Sequence, residues 1–203
     1  MKITFQKTGR EKKLESIPDW LVYEKIDGVP IYYRDYDRVL SGGKDLEEVM
    51  GSGLIHALIL EVILGFLFKE LKPKGYLILT GEVGFKVDSK SWYNLDVAVY
   101  RKGDIKQISE GLIEVPPRMV IEIDTKADLR KFSSPLEYFH KKTENLLNAG
   151  VEKVIWIFTK ERKLWYAERD KDWVIANWNK SLPLLEGVEM NLQNLLEEEG
   201  IKI

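Results

Sequence analysis

The chain contains no cysteine. Disulfide frameworks and thiolate zinc sites are therefore excluded. Its two histidines are too few for a histidine-rich metal centre. A basic excess is missing as well. Lys and Arg number 31 against 33 Asp and Glu, the net charge is −2, and the pI is about 5.9. Proteins that grip nucleic acid through a broad electrostatic footprint are usually basic. A nucleic-acid role here must rest on a local patch, or on a metal that neutralises carboxylates. Long apolar runs are also lacking. The longest, "LIHALILEVILGFLF", is interrupted by His56 and Glu61 and is short for a bilayer span. The opening "MKITFQKTGREKK" lacks the apolar core of a leader peptide. These absences predict a soluble, cytoplasmic chain with no membrane partner.

A hydrophobic fraction of 44% with 11% aromatics over 203 residues suits one globular domain, residues 1–203, with a sizeable core. "WLVYEKIDGVPIYYRD" predicts a hairpin, because Asp27-Gly28 parts two aromatic and β-branched runs. "VLSGGKDLEEVMGSG" reads as a glycine-rich loop with a short acidic turn. From Leu54 to Leu71 the chain is apolar nearly all round, which predicts a buried helix ended by Pro73 and Gly75. "YLILTGEVGFKV", "NLDVAVYRKGD" and "PPRMVIEID" read as strands. "SSPLEYFHKKTENLLNAGV" reads as a helix with Ser134 as N-cap, Pro135 at the first position and Glu137 at capping-box spacing. Three more strands follow, then a short strand and a final helix. This order predicts an α/β fold with a central mixed β-sheet flanked by helices, an N-terminal hairpin and additional C-terminal strands.

Two strands carry acids inside apolar runs. In "MVIEID", Met119, Ile121 and Ile123 alternate with Val120, Glu122 and Asp124. In "LDVAVY", Asp96 lies opposite Leu95, Val97 and Val99. If the two strands are neighbours, Asp96 and Glu122 converge. Burying such a pair is costly without a cation, and a hard cation such as Mg²⁺ prefers carboxylate oxygens. The plainer reading is that both strands are half exposed and the acids face water. In the following helix, about 100° per residue places Leu136, Phe139, Thr143, Leu146 and Leu147 on the buried face. Lys142 falls at the rim, near Tyr138, where it either reaches the acids or snorkels to solvent.

The ordered set "LDVAVY", "PPRMVIEIDTKAD" and "KKTENLLNAGVEKVIWIF" resembles the bacterial Uma-type restriction endonuclease-like family. That family belongs to the PD-(D/E)XK nuclease superfamily. The likeness runs from about Trp20 to Gly200. It implies a restriction endonuclease-like fold and an endonuclease that hydrolyses DNA phosphodiester bonds with Mg²⁺ (or Mn²⁺). By the resemblance, Asp96, Glu122 and the carbonyl of Ile123 hold the metal, and Lys142 orients water or stabilises charge. Asp124 stands where the superfamily usually keeps a lysine, as an outer acid or second ligand. Glu61 stands for the acid of the first helix. His56, lone in an apolar helix, reads as structural. Leu95 replaces the usual proline, and "IDTKAD" the usual serine-proline turn. Cutting both strands implies a homodimer. A nuclease fold kept only to bind nucleic acid or a protein partner is the alternative.

Overall fold

A computed structural model describes residues 17–203. The N-terminal stretch read above for a leader lies outside the described residues. The predicted hairpin forms from β1 (Val22–Ile26) and β2 (Val29–Tyr32). Asp27 and Gly28 both take positive φ, 51° and 82°, as a two-residue turn matched to strand twist requires. A short helix α1 (Tyr36–Leu40) leads into the predicted loop, and within that loop a second, α2 (Leu46–Met50), forms at the acidic turn. Asp45 and Glu48 make a reciprocal capping box on the second.

Helix α3 (Leu54–Glu70) forms as predicted but is not buried all round. Ile59, Ile63 and Leu67 are fully buried, each stabilising by about 1.5–3 kcal/mol. Leu54, Ile55 and Phe68 remain exposed. The long antiparallel pair β3 (Tyr76–Lys86) and β4 (Trp92–Arg101) follows, with a bulge between Thr80 and Val83. Next come β5 (Met119–Ile123) and α4 (Pro135–Asn148). Ser134 Oγ caps α4 by accepting from the Glu137 N–H. Strand β6 (Lys153–Phe158) lies parallel to β5, so β5, α4 and β6 make a crossover unit. β7 (Lys163–Glu168) and β8 (Val174–Asn177) extend the sheet antiparallel. The tail is a ribbon of β9 (Leu182–Pro183) and β10 (Glu189–Met190), then α5 (Leu192–Glu198).

Among the described residues the mixed sheet has eight strands, in the order β2-β1-β4-β5-β6-β7-β8 with β3 also on β4. One face packs Val97, Val99, Met119, Ile121 and Ile123 against α3 and α5. The other packs Ala98, Tyr100, Val120 and Trp156 against α4. The expected α/β architecture is therefore the observed one.

One detail of the topology positions the site. β3 runs along one edge of β4. The other edge is shared, since β5 pairs with Val97 to Val99 and β1 meets β4 through Lys25 and Trp92. Around Asn94 to Asp96, between these two contacts, that edge has no ladder partner. Backbone polar groups left there need other partners, and side chains supply them.

Candidate active site

Four side chains from four elements meet in this gap. Continued by one step, the β4–β5 register sets Asp96 opposite Glu122. Asp96 Oδ2 accepts from the Ile123 N–H at 2.8 Å, where the ladder ends. Lys142 comes over from α4. Its Nζ lies 2.9 Å from Glu24 Oε2, 3.1 Å from the Asn94 carbonyl and 3.2 Å from Glu122 Oε1. An ammonium has three N–H donors, and three acceptors surround this one. Tyr138, one helical turn before Lys142, donates to Glu24 Oε1 at 2.6 Å. The rings of Tyr23, Tyr93 and Trp156 stand 5.8, 5.3 and 5.6 Å from Nζ. Their π faces offset part of the ammonium's lost hydration.

Lys142 is therefore a buried ion, not a rim lysine. Side-chain exposure is 0% for Lys142 and Glu24 and 1% for Glu122. It is 11% for Asp96, so Asp96 is the member of the set nearest solvent. Thr143, Leu146 and Leu147 of α4 are buried as expected, but Tyr138 and Lys142 join them while Leu136 is exposed.

The electrostatics follow from the count. Glu24, Asp96 and Glu122 share one lysine, an excess of two negative charges when all are ionised. Burial pushes the Glu122 carboxyl up to about 8; Asp96 and Glu24 add to this, and Lys142 opposes it. Burial likewise raises Asp96, against the Ile123 N–H and the nearby His56, Lys142 and Lys126. It raises Glu24 too, against Lys142 and the Tyr138 hydroxyl. Lys142 is held well above the usual lysine range: burial alone would lower it, but Glu122 and Glu24 prevail. Opposite charge outweighs desolvation only at such close range.

Two expected site residues stand elsewhere. Asp124 does not continue the face of Glu122. The chain turns there with φ of 52°, which ends the alternation, and its carboxylate accepts from the Thr159 N–H at 3.0 Å and hydroxyl at 2.5 Å. It ties the end of β5 to the turn after β6. Glu61 is exposed on α3. His56, five residues earlier and so about 140° round the helix, is the α3 residue that faces the acids. Its Nε2 lies 3.7 Å from Asp96 Oδ1 and is buried without a hydrogen-bond partner. Glu24 went unnoticed in the sequence, although plain alternation would put it with Val22 and Ile26; in the structure a register shift falls between Val22 and Glu24. The alternation is the acid-in-apolar-face pattern that marked Glu122.

Among the described residues, no group of three or more His, Cys, Asp or Glu side chains is arranged to cage a metal ion. Mg²⁺ does not require one. It is commonly held through one or two carboxylates, with waters and substrate phosphates completing its shell. Glu122 Oε1 is buried and accepts no hydrogen bond; Lys142 approaches it off the hydrogen-bonding axis. An orphaned carboxylate oxygen beside Asp96, with two uncompensated charges, fits a hard dication.

No protein-family description matches the chain, and no curated protein matches its sequence. Solved structures do match. One is a crystal structure described as "a putative nuclease belonging to DUF820" from Anabaena variabilis, with a TM-score of 0.62 and 15% identity. The match covers 86% of this chain and 89% of that one. At that identity the likeness speaks for the fold: a large mixed sheet flanked by helices, of the nuclease-like kind.

Proposed function

We infer that the chain is a nuclease that hydrolyses DNA phosphodiester bonds with Mg²⁺ or Mn²⁺. The observation that carries this reading is the convergence of Asp96, Glu122, Glu24 and Lys142 in one buried cluster, where three carboxyl groups face a single lysine and would be two charges in excess if all were ionised. Structural proteins seldom retain such an excess, because burying unpaired charge is destabilising, whereas catalytic sites are where strongly perturbed carboxylates gather. The nuclease-like fold of the Anabaena protein supports the same reading.

Asp96 and Glu122 would hold the ion, which would polarise the scissile phosphate and acidify a bound water. The protein's own part is positioning. Lys142, hydrogen-bonded to Glu24 and the Asn94 carbonyl, holds the Glu122 carboxylate by an ion pair at 3.2 Å. Glu24 and Tyr138 in turn fix Lys142. The lysine role implied by the resemblance thus becomes orientation of the acids in the free protein. It would turn to the substrate only by giving up its longest contact, that to Glu122.

The test is cleavage of plasmid and oligonucleotide DNA in Mg²⁺ and in Mn²⁺. The expected result is strand scission that falls at least about 100-fold in Asp96→Asn and in Glu122→Gln. Residual cleavage equal to the parent in both variants would assign the activity to another site. Binding without scission in either ion would favour the non-catalytic alternative.

A further inference from the structure

A groove of about 1020 Å³ opens beside the cluster, at the upper end of the roughly 300–1,000 Å³ typical of ligand pockets. Asp96, Glu122 and Lys142 do not line it. It reaches them through His56 and Ile123, the two groups that touch the Asp96 carboxylate. Away from that end its walls are apolar: Leu136, Phe139, Phe158 and Ile175, with Leu54 and Ile55 at the mouth. Leu136 is 61% and Ile175 69% exposed. Its charged lining is Arg34, Lys126, Lys160 and Lys163 against Asp124 and Glu161. In a chain of net charge −2, this is a local cationic excess around an apolar hollow. Arg34 is held in place by the Thr125 carbonyl; Lys126 is fixed by the Met50 carbonyl and by an ion pair with Glu82, which offsets part of its charge.

Duplex DNA turns its phosphates outward and hides its bases in the stack, so it has nothing to place in an apolar hollow. A single strand offers flat base faces and a flanking phosphate chain together. Proteins that take single strands combine those complements, stacking surfaces and a cationic track. We propose that the groove is the binding site for an unpaired nucleotide segment, with bases against Phe139, Phe158 and Ile175 and the backbone led by Arg34 and Lys126 toward Asp96. The substrate class is single-stranded nucleic acid, or unpaired strands in a branched one. This rests on the nuclease reading for its direction, but the binding can be measured without cleavage.

The test is fluorescence anisotropy of the full chain in EDTA with labelled oligothymidylate, alone and annealed to oligoadenylate. The single strand is expected to bind about tenfold tighter than the duplex. Ile175→Asp, an exposed position, is expected to weaken single-strand binding about tenfold with unchanged melting, and Phe158→Ala to weaken it similarly while also lowering the melting temperature, because its ring packs on Phe139 and Trp156. Equal affinity for both forms, or single-strand binding untouched by both variants, overturns the proposal. So does a dimer that Ile175→Asp dissociates without changing DNA affinity, since a second copy then fills the groove. Duplex scission in Mg²⁺ without single-strand preference removes the groove proposal and leaves the nuclease reading standing. Single-strand binding lost in Ile175→Asp, with no scission in Mg²⁺ or Mn²⁺, supports the groove and removes the nuclease reading.

Discussion

Replacing Lys142 by Met destabilises the chain by about 3–5 kcal/mol at pH 8, the usual result of removing one partner from a buried ion pair. For a chain of this length that lowers the melting temperature by roughly 6–20 °C. Met fills most of the lysine's volume, so a cavity is not the main effect. What remains is Glu24 and Glu122, at 0% and 1% side-chain exposure, without their shared cation. Their remedy is to hold protons. The loss is therefore expected to shrink by half or more at pH 5, where a protonated carboxyl needs no partner. Adding Glu24→Gln to Lys142→Met is expected to recover part of the stability at pH 8. Denaturant titrations at the two pH values read this directly. An equal loss at both would mean that packing by the lysine stem, not charge, dominates.

Glu122→Gln is expected to act in opposite directions on stability and on activity. In the metal-free protein, burial lifts Glu122 from the ordinary range to about 8. A carboxyl raised in the folded state favours folding most when protonated. Its contribution is thus fully present below about pH 4.5 and is lost as pH rises toward 8. The limiting slope is about 1.4 kcal/mol per pH unit. The parent chain should therefore lose stability between pH 5 and 8. Glu122→Gln should show a flatter profile and be the more stable of the two by at least about 1 kcal/mol at pH 8, while cleavage falls at least about 100-fold. A variant with the parent's pH profile would place the titration elsewhere, on Asp96 or Glu24.

Much of this arrangement was legible in the chain. Strand alternation set Asp96 and Glu122 facing each other, and the turn pair Asp27-Gly28 and the cap Ser134 marked hairpin and helix. Those are local signals. What escaped depended on distant pairings. The depth of Lys142 is set by β1, which meets β4 through the Lys25–Trp92 pair and the Asn94 amide bond to the Tyr23 carbonyl and brings Glu24 against Tyr138 and Lys142 of α4. A helix-rim lysine looks the same in sequence whether or not a strand roofs it. The choice between His56 and Glu61 failed for a different reason. α3 is so uniformly apolar that no stripe announces which face meets the sheet. Asp124 was misplaced because alternation was carried one residue beyond the point where the strand ends.

The excess of carboxyl groups over lysine in the cluster makes the most direct test a thermal shift in Mn²⁺ or Mg²⁺ at pH 6 and pH 8.5, with parent, Asp96→Asn and Glu122→Gln. Binding a dication to raised carboxylates must displace protons, so it strengthens with pH. A metal present at about 100 times its Kd adds roughly 2.7 kcal/mol, a rise of several degrees in melting temperature. The parent is expected to show that rise, larger at pH 8.5 than at pH 6, and both variants to lose it. An unchanged parent melting temperature, or the same rise in Glu122→Gln as in the parent, would contradict a metal held between Asp96 and Glu122.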